Sequence, residues 1–416
     1  MPHETSAQIT ILGAGPVGLE AALYGRYLGY QVSVFERGRI AENVRRWGHV
    51  RLFSPLAMNV STLGAAAIEA HRPNERLPDG QMLLTGHELV DGYLAALAET
   101  DLLAGSIHEQ TEVLAVGRDG LLKGERVGDP GRGEIPFRIL TRHDGQESIS
   151  RADIVLDTTG VFGNHNHLGS GGLPAVGELA VADDIEYGLP DLAGADREHF
   201  VDRHVLVIGA GYSAATNVTA LASLSPDTRV TWVTRGASPP ITRIADDRLA
   251  ERDRLAEQAN LLANDAAGPV THREATLVES IAINDDATFT VTTSGQHAEE
   301  LHVDRIIANV GYHGDRQLTR ELQLHECYAT GGPMKLAAAL LGETSVDCLD
   351  QISPGPQTLD TSEPNFYVLG AKSYGRNSAF LMSLGRQQVR DVFQLITGRD
   401  TLDLYASVQP TYAGET

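Results

Sequence analysis

The sequence predicts an α/β protein built from two Rossmann-like dinucleotide-binding domains, the second inserted in the first. Three observations lead there. Ile9 to Leu12 is a short apolar run, followed by Gly13, Gly15 and Gly18 at GxGxxG spacing, a helix that starts near Pro16, and a second strand from Val32 to Phe35. The same pattern returns from His204 to Leu224, with Gly209, Gly211 and the small residue Ala214. Each copy is later closed by a similar strand, Asp153 to Gly160 (DIVLDTTG) and Asp304 to Gly311 (DRIIANVG). Such repetition signals two copies of one architecture. The predicted division is 1–170 for the first part of the first domain, 171–314 for the inserted domain, and 315–416 for the return segment and C-terminal helix.

In the first copy each glycine has a task. Gly13 permits the sharp turn, Gly15 lets the backbone approach a pyrophosphate, and Gly18 lets helix pack on strand. The phosphates would sit on the amides and positive dipole end of the helix at Pro16. Glu36, with Arg37 beside it, ends the second strand, where a carboxylate accepts hydrogen bonds from a ribose diol. Beyond it, Arg45, Arg46, Trp47, His49, Phe53, Ser54, Pro55 and Asn59 form a stretch without clear period, suited to lie against a planar ring. A helix is expected from Gly86 to Glu99, and strands at Ser106–Val116, Phe137–Arg142 and Asp153–Leu156, with a charged, glycine-rich insertion over Gly117–Gly133. Thr159 and Gly160 end the closing strand. His165 and His167 lie in a glycine-rich linker without cysteine or acidic companions nearby, so they read as loop residues and no metal is expected.

In the second copy Tyr212 and Ser213 open the helix, and the strand Arg229 to Thr234 ends without a carboxylate. Arg235 comes next. A carboxylate would repel a 2′-phosphate, whereas an arginine pairs with it through charge-assisted bonds, so this site leans to NADP(H), with Arg243 a second candidate for the same phosphate. A charged helix is expected within Asp246–Asp265, then strands at Ala275–Ile283 and Thr288–Thr293. The return segment reads as strand Phe366–Leu369, a turn from Gly370 holding Lys372 and Arg376, and a helix over Ser378–Ile396 capped by Asn377 or Ser378.

Composition bounds the rest. The chain has 416 residues, 42% hydrophobic, with 43 glycines, enough for two or three domains with real cores. No apolar run reaches bilayer length and MPHETSAQ lacks the features of a signal peptide, so the expectation is a soluble, cytoplasmic protein. A net charge of −22 argues against nucleic-acid and anionic-membrane partners, which need a basic footprint. The expected partner is a small molecule, with a homo-oligomer left open. Cys327 and Cys348 are the only cysteines and do not form a CxxC.

Taken together, the paired glycine motifs, the Thr-Gly segment and the C-terminal strand, turn and helix resemble the two-dinucleotide-binding-domain flavoproteins, among them thioredoxin reductases, bacillithiol disulfide reductases and flavin-containing monooxygenases. The resemblance covers nearly the whole chain. It implies FAD on the first domain, held by Gly13, Gly15, Pro16, Gly18 and Glu36, with Arg37, Trp47, Ser54, Asn59, Thr159 and Gly160 around it. By similarity, Val113 would hold the adenine through its backbone, and the turn from Gly370 to Asn377 would approach the flavin. NADPH would lie on the second domain with Gly209, Gly211, Tyr212, Ser213, Ala214, Arg235 and Arg243. The segment WGHVRLFSP looks like the flavin-facing stretch of the bacillithiol reductase branch.

Departures narrow the activity. The redox CxxC is absent, which excludes that dithiol relay, and Val17 stands where the bacillithiol branch would carry cysteine. Phe162, Gly163 and His165 do not keep the spacing of the monooxygenase fingerprint, and the usual Gly-Asp is Gly370-Ala371. The leading expectation is an FAD- and NADPH-dependent monooxygenase acting on a nitrogen or sulfur centre of a small molecule, chemistry that needs no protein nucleophile. His49, Lys372 and Arg376 are then the donors or cations expected at the flavin. A reductase of a small disulfide or other acceptor is the alternative enzyme, and a redox sensor or electron-transfer flavoprotein the non-enzymatic one.

Overall fold

The computed structural model describes residues 6–342 and 347–408. It divides into two compact units: residues up to 164 together with those from 313 onward, and residues 165–312.

The first unit starts with β1 (Gln8–Leu12), α1 (Pro16–Tyr27), β2 (Gln31–Phe35) and, further on, α2 (Thr62–His71). Then come β3 (Ile107–His108), β4 (Thr111–Arg118), β5 (Phe137–His143), β6 (Gln146–Ala152) and β7 (Ile154–Asp157). In the second unit the chain forms β8 (His204–Ile208), α3 (Tyr212–Ala222), β9 (Arg229–Val233), α4 (Ala250–Asn264), β10 (Val270–Arg273), β11 (Thr276–Ile283), β12 (Phe289–Gly295), β13 (Glu300–Val303) and β14 (Arg305–Ala308). The returning chain adds β15 (Phe366–Val368) and α5 (Met382–Thr397) to the first unit.

One sheet of the first unit is parallel throughout, in the order β15-β7-β1-β2-β3. Its strands are apolar on both faces, with Ile9, Ile11, Val34, Ile154 and Leu156 on one and Leu12, Val155, Phe366 and Val368 on the other, as a sheet covered on both sides requires. The chain passes from β1 to β2 through α1, whose Leu19, Ala21, Ala22 and Leu23 are buried in the same core as Val389, Val392 and Phe393 of α5. A second, antiparallel sheet, β4-β5-β6, packs its Val116, Phe137 and Ile139 into one small core with Leu12, Val155, Phe366 and Val368 of the parallel sheet. In the second unit the parallel sheet has the order β10-β9-β8-β14 and the antiparallel sheet the order β11-β12-β13. The two units thus repeat one plan, a parallel Rossmann sheet and a three-stranded antiparallel one.

The predicted single strand Ser106–Val116 is in fact β3 and β4, which belong to different sheets. Gln110 has a φ of 52° between them, and this left-handed residue breaks the run. The expected helix at Gly86–Glu99 is present. Thr85 and Glu88 form a reciprocal capping box at its start, and one π-helical turn, Val90–Leu94, interrupts it. The helix expected at Ser378 begins only at Met382: Asn377 accepts the Ala379 N–H at 2.9 Å in a local turn and caps no helix. Strands β6, β10 and β13 have no counterpart in the sequence reading. Of these β6 is the instructive one: its residues are almost all exposed, so it carries no apolar period.

The charged insertion of the first unit is anchored by buried charge. Glu363, fully buried, accepts from Arg118 Nε at 2.8 Å and Arg132 Nε at 2.9 Å, and from the Gln323 N–H at 2.7 Å. Removing the acid would leave two guanidinium groups in the interior without their counter-ion. We expect Glu363→Ala to destabilise the first unit by about 3–5 kcal/mol in denaturant unfolding, whereas breaking an exposed pair such as Arg142–Glu112 should cost under about 1 kcal/mol.

Candidate functional site

The carboxyl ends of the parallel strands are where open α/β sheets bind ligands. In the first unit this edge is formed by the ends of β1, β2, β7 and β15. Gly13 turns with a φ of +96° and donates its N–H to Phe35 O at 2.8 Å. A Cβ on Gly18 would stand 2.0 Å from Gly13 O, so close packing of helix and strand demands glycine there. At Gly15 a Cβ would meet nothing within 4 Å. It faces open space, as a backbone that must receive a bulky anion should. No side chain caps α1, whose N-cap is Gly15 and whose first residue is Pro16, so its first amides are left for a ligand.

Around this cradle, Thr158 shares its hydroxyl proton between Leu12 O and Gly13 O at 2.8 and 3.0 Å. Glu36 is buried and its two oxygens accept the N–H of Ala14 and of Gly38, each at 2.9 Å. The sequence marks Glu36 as a ribose ligand; the structure gives it a further task, holding the glycine turn, and a carboxylate has lone pairs enough for both. Arg37 has its guanidinium where a side chain on Gly163 would go. Gly160 has a φ of +69° with open space around it. Val113 sits at an irregularity of β4.

The other candidates of the first unit have partners of their own or lie partly buried. Ser54 and Asn59 bind each other, Ser54 Oγ to Asn59 Oδ1 at 2.9 Å, and the Asn59 amide returns to Ser54 O at 3.0 Å. Trp47 turns the edge of its ring to Gly86, with its indole N–H buried and lacking an acceptor among the described residues. His49 is half-buried. Lys372, expected as a donor or cation at the flavin, is buried: its ammonium lies 2.5 Å from Asp157 Oδ2 and 3.3 Å from Thr159 Oγ1. Asp157 is absent from the sequence candidates, although as the acid ending β7 it occupies a position where one could be sought. Gly370, with a φ of +75°, donates to Gln388 Oε1 at 2.8 Å, and Gln388 donates in turn to Ser373 Oγ at 2.9 Å. This buried network fixes the turn before α5. Arg376, at the end of that turn, donates its backbone N–H to Thr330 O at 2.6 Å.

In the second unit Gly209 has a φ of +133°, and a Cβ there would fall 2.3 Å from Asn309 O. Gly211 faces open space as Gly15 does, and α3, starting at Tyr212 and Ser213, likewise has no side-chain cap. Ala214 is buried under the helix. Trp232 Nε1 donates to Gly209 O at 2.8 Å and stiffens the turn. Arg235 is exposed. Asp253 holds Arg243 through two bonds of 2.8 and 2.6 Å and Glu257 through a third of 3.1 Å, so it braces α4. His165 stacks on Tyr187 with ring centres 3.4 Å apart, and His167 Nδ1 lies 3.2 Å from the buried Glu178. Among the described residues no cluster suited to a metal ion exists, and no helix is long and apolar enough to cross a membrane.

One buried acid lies directly behind the first cradle. Glu20, on the second turn of α1, accepts from Tyr93 at 2.6 Å and from Tyr405 at 3.3 Å, beside a small cavity lined by Pro16, Val17, Asn59 and Arg386. Burial raises its carboxyl above the ordinary glutamate value, against the opposing hydrogen bond from Tyr93. The folded protein therefore holds this proton more tightly than the unfolded chain does. Its contribution to stability is full in acid and falls as pH rises past the ordinary glutamate range. Glu20→Gln should flatten the pH dependence of the unfolding midpoint as pH rises above the ordinary glutamate range; an unchanged slope would contradict the assignment.

No protein-family model and no curated protein matches the chain. Solved structures do. Bacillithiol disulfide reductase from Bacillus cereus superposes with a TM-score of 0.66 at 20% identity, covering 95% of this chain and 99% of that one. The ornithine N-hydroxylase of Kutzneria sp. 744, solved with reduced FAD, NADP+ and L-ornithine, gives 0.64 at 16% identity, covering 95% and 100%. The cadaverine monooxygenase of Erwinia amylovora, bound to FAD, gives 0.65 at 15% identity, covering 99% and 98%. Two glycine turns at the carboxyl edges of two parallel sheets, superposable over nearly the whole chain on these proteins, give this chain the fold of the two-dinucleotide-binding-domain flavoproteins.

Proposed function

We propose that the protein is an FAD-dependent, NADPH-using oxidoreductase, and within that class a monooxygenase of a nitrogen or sulfur centre in a small molecule. The observation that carries the reading is the pair of glycine turns, Gly13–Gly15 and Gly209–Gly211, each placing an uncapped helix N-terminus and an unobstructed backbone at the carboxyl edge of a parallel sheet. The residues fit the groups they would hold. In the first unit the amides behind Gly15 and Pro16 bind pyrophosphate, Glu36 the ribose, and the Val113 backbone the adenine. In the second, Gly211, Tyr212 and Ser213 supply the amides and Arg235 the charge for a 2′-phosphate.

When bound, FAD accepts hydride from NADPH and passes the electrons to an acceptor. The chain's part is to bind, orient and shield. Dioxygen is favoured as acceptor because Val17 replaces the cysteine of the bacillithiol branch and no CxxC is present. A cysteine supports the reductase alternative. Neither Cys327 nor Cys348 is in a disulfide, and the Thr330 hydroxyl and the amides of Thr330 and Ala329 hold the Cys327 thiol below its ordinary value. Its loop packs on the turn before α5 through the bond between Thr330 O and the Arg376 N–H. We also take the working partner to be a small molecule, with the cytoplasm as its compartment.

Two experiments test these assignments. Arg235→Ala should raise the KM for NADPH by about one to two powers of ten and leave that for NADH nearly unchanged, while Arg243→Ala, whose partners are Asp253 and Glu257, should do neither; equal effects on both coenzymes would remove the phosphate assignment. NADPH consumption should require oxygen and survive Cys327→Ser. Thiol-dependent turnover that persists without oxygen and dies with Cys327→Ser would select the reductase.

A further inference from the structure

Lys372 and Asp157 are almost fully buried, 5% and 0% exposed, and they stand at the ligand-binding edge of the first sheet. Asp157 ends β7, the strand between β1 with its glycine turn and β15 with the Gly370 turn. The residues next to Asp157 touch the cradle: a Cβ on Gly13 would lie 3.1 Å from Thr158 O and 3.3 Å from the Thr159 Cα. Asp157 Oδ1 accepts from the Thr159 hydroxyl at 2.7 Å and from its N–H at 3.1 Å, while Oδ2 takes the lysine. The stem of Lys372 is covered by the returning chain, since a Cβ on Gly314 would come within 2.8 Å of its Cγ. Both charges are therefore fixed, buried and compensated chiefly by each other.

A buried pair is seldom retained for stability, because desolvation consumes most of the attraction. Its other effect is on whatever charge appears nearby, and in a buried site that effect is barely screened. The flavin reading gives such a charge, as electrons added to the coenzyme. We propose that Lys372, by neutralising Asp157, keeps that carboxylate from lowering the reduction potential of the coenzyme held by the first unit, where a lone negative charge would oppose electron uptake. The pair is a positioning and charge-balancing device and takes no part in bond making. This inference rests on the FAD assignment.

The two halves of the pair predict opposite signs. Lys372→Met leaves a lone buried carboxylate and should shift the midpoint potential of bound FAD to more negative values. Asp157→Asn leaves a lone ammonium and should shift it to more positive values. The double variant Lys372→Met/Asp157→Asn, which buries no unpaired charge, should return close to the wild type. Spectroelectrochemical titration of the FAD-loaded proteins reads all three, and thermal melting of the same samples reports the structural cost separately. If one single variant does not fold, the sign of the other against the double variant still decides. Single variants that bind FAD at the wild-type potential, or that both shift in one direction, overturn the proposal and leave the FAD assignment standing. A wild-type protein that takes up no FAD overturns the FAD assignment, and the role of the pair falls with it.

Discussion

Both units depend on one steric constraint: at the turn from first strand to first helix the backbone comes so near its neighbours that no Cβ can be accommodated. Gly18 would overlap Gly13 O at 2.0 Å, and Gly209 would overlap Asn309 O at 2.3 Å. That closeness aims the starts of α1 and α3, neither of which has a side-chain cap, outward past Gly15 and Gly211, where there is room. A helix start with no side-chain cap has unsatisfied donors that water or an anion must meet. The asymmetry between the units then comes from the side chain just past the second strand. Glu36 is drawn inward by two backbone amides, while Arg235 stays in solvent.

Around these turns the first unit is tied together by buried charges that join distant parts of the chain. Lys372 reaches across 215 positions to Asp157, and Arg118 across 245 to Glu363. Such contacts staple the returning segment to strands made much earlier in the chain. Glu178 does a local version of this in the second unit, gathering the N–H of Leu168 and Ala175 and the Tyr187 hydroxyl on a fully buried carboxylate. Glu20 is the exception in kind. Burial holds its carboxyl above the ordinary glutamate value, and it accepts from two tyrosines rather than from a cation.

The fold is legible in the sequence where local chemistry decides it. Gly13 and Gly18 announce a turn that only glycine can make, Gly15 leaves open space beside it, and the apolar runs ending at Leu12 and Ile208 before each turn are buried strand. Asp157 and Glu363 are not legible, because an acid in a strand end or a loop looks solvated until its arginine or lysine arrives from elsewhere in the chain. For the same reason Lys372 and Arg243 look like available cations: their partners, Asp157 on one side and Asp253 and Glu257 on the other, come from tertiary packing or from a helix face whose orientation the sequence leaves open. Asn377 misleads in another way. A good capping residue before a good helix pattern does not fix the start when the residue satisfies its own turn first, and α5 begins at Met382.

The central claim is that the two glycine turns are phosphate cradles for two different dinucleotides. Titrating the purified protein with FAD while following flavin fluorescence, then adding NADPH under argon, tests it in one sample. The account predicts saturable uptake of one FAD per chain and bleaching of its visible absorption on adding NADPH. A colourless protein that leaves the fluorescence of added FAD unchanged would contradict it.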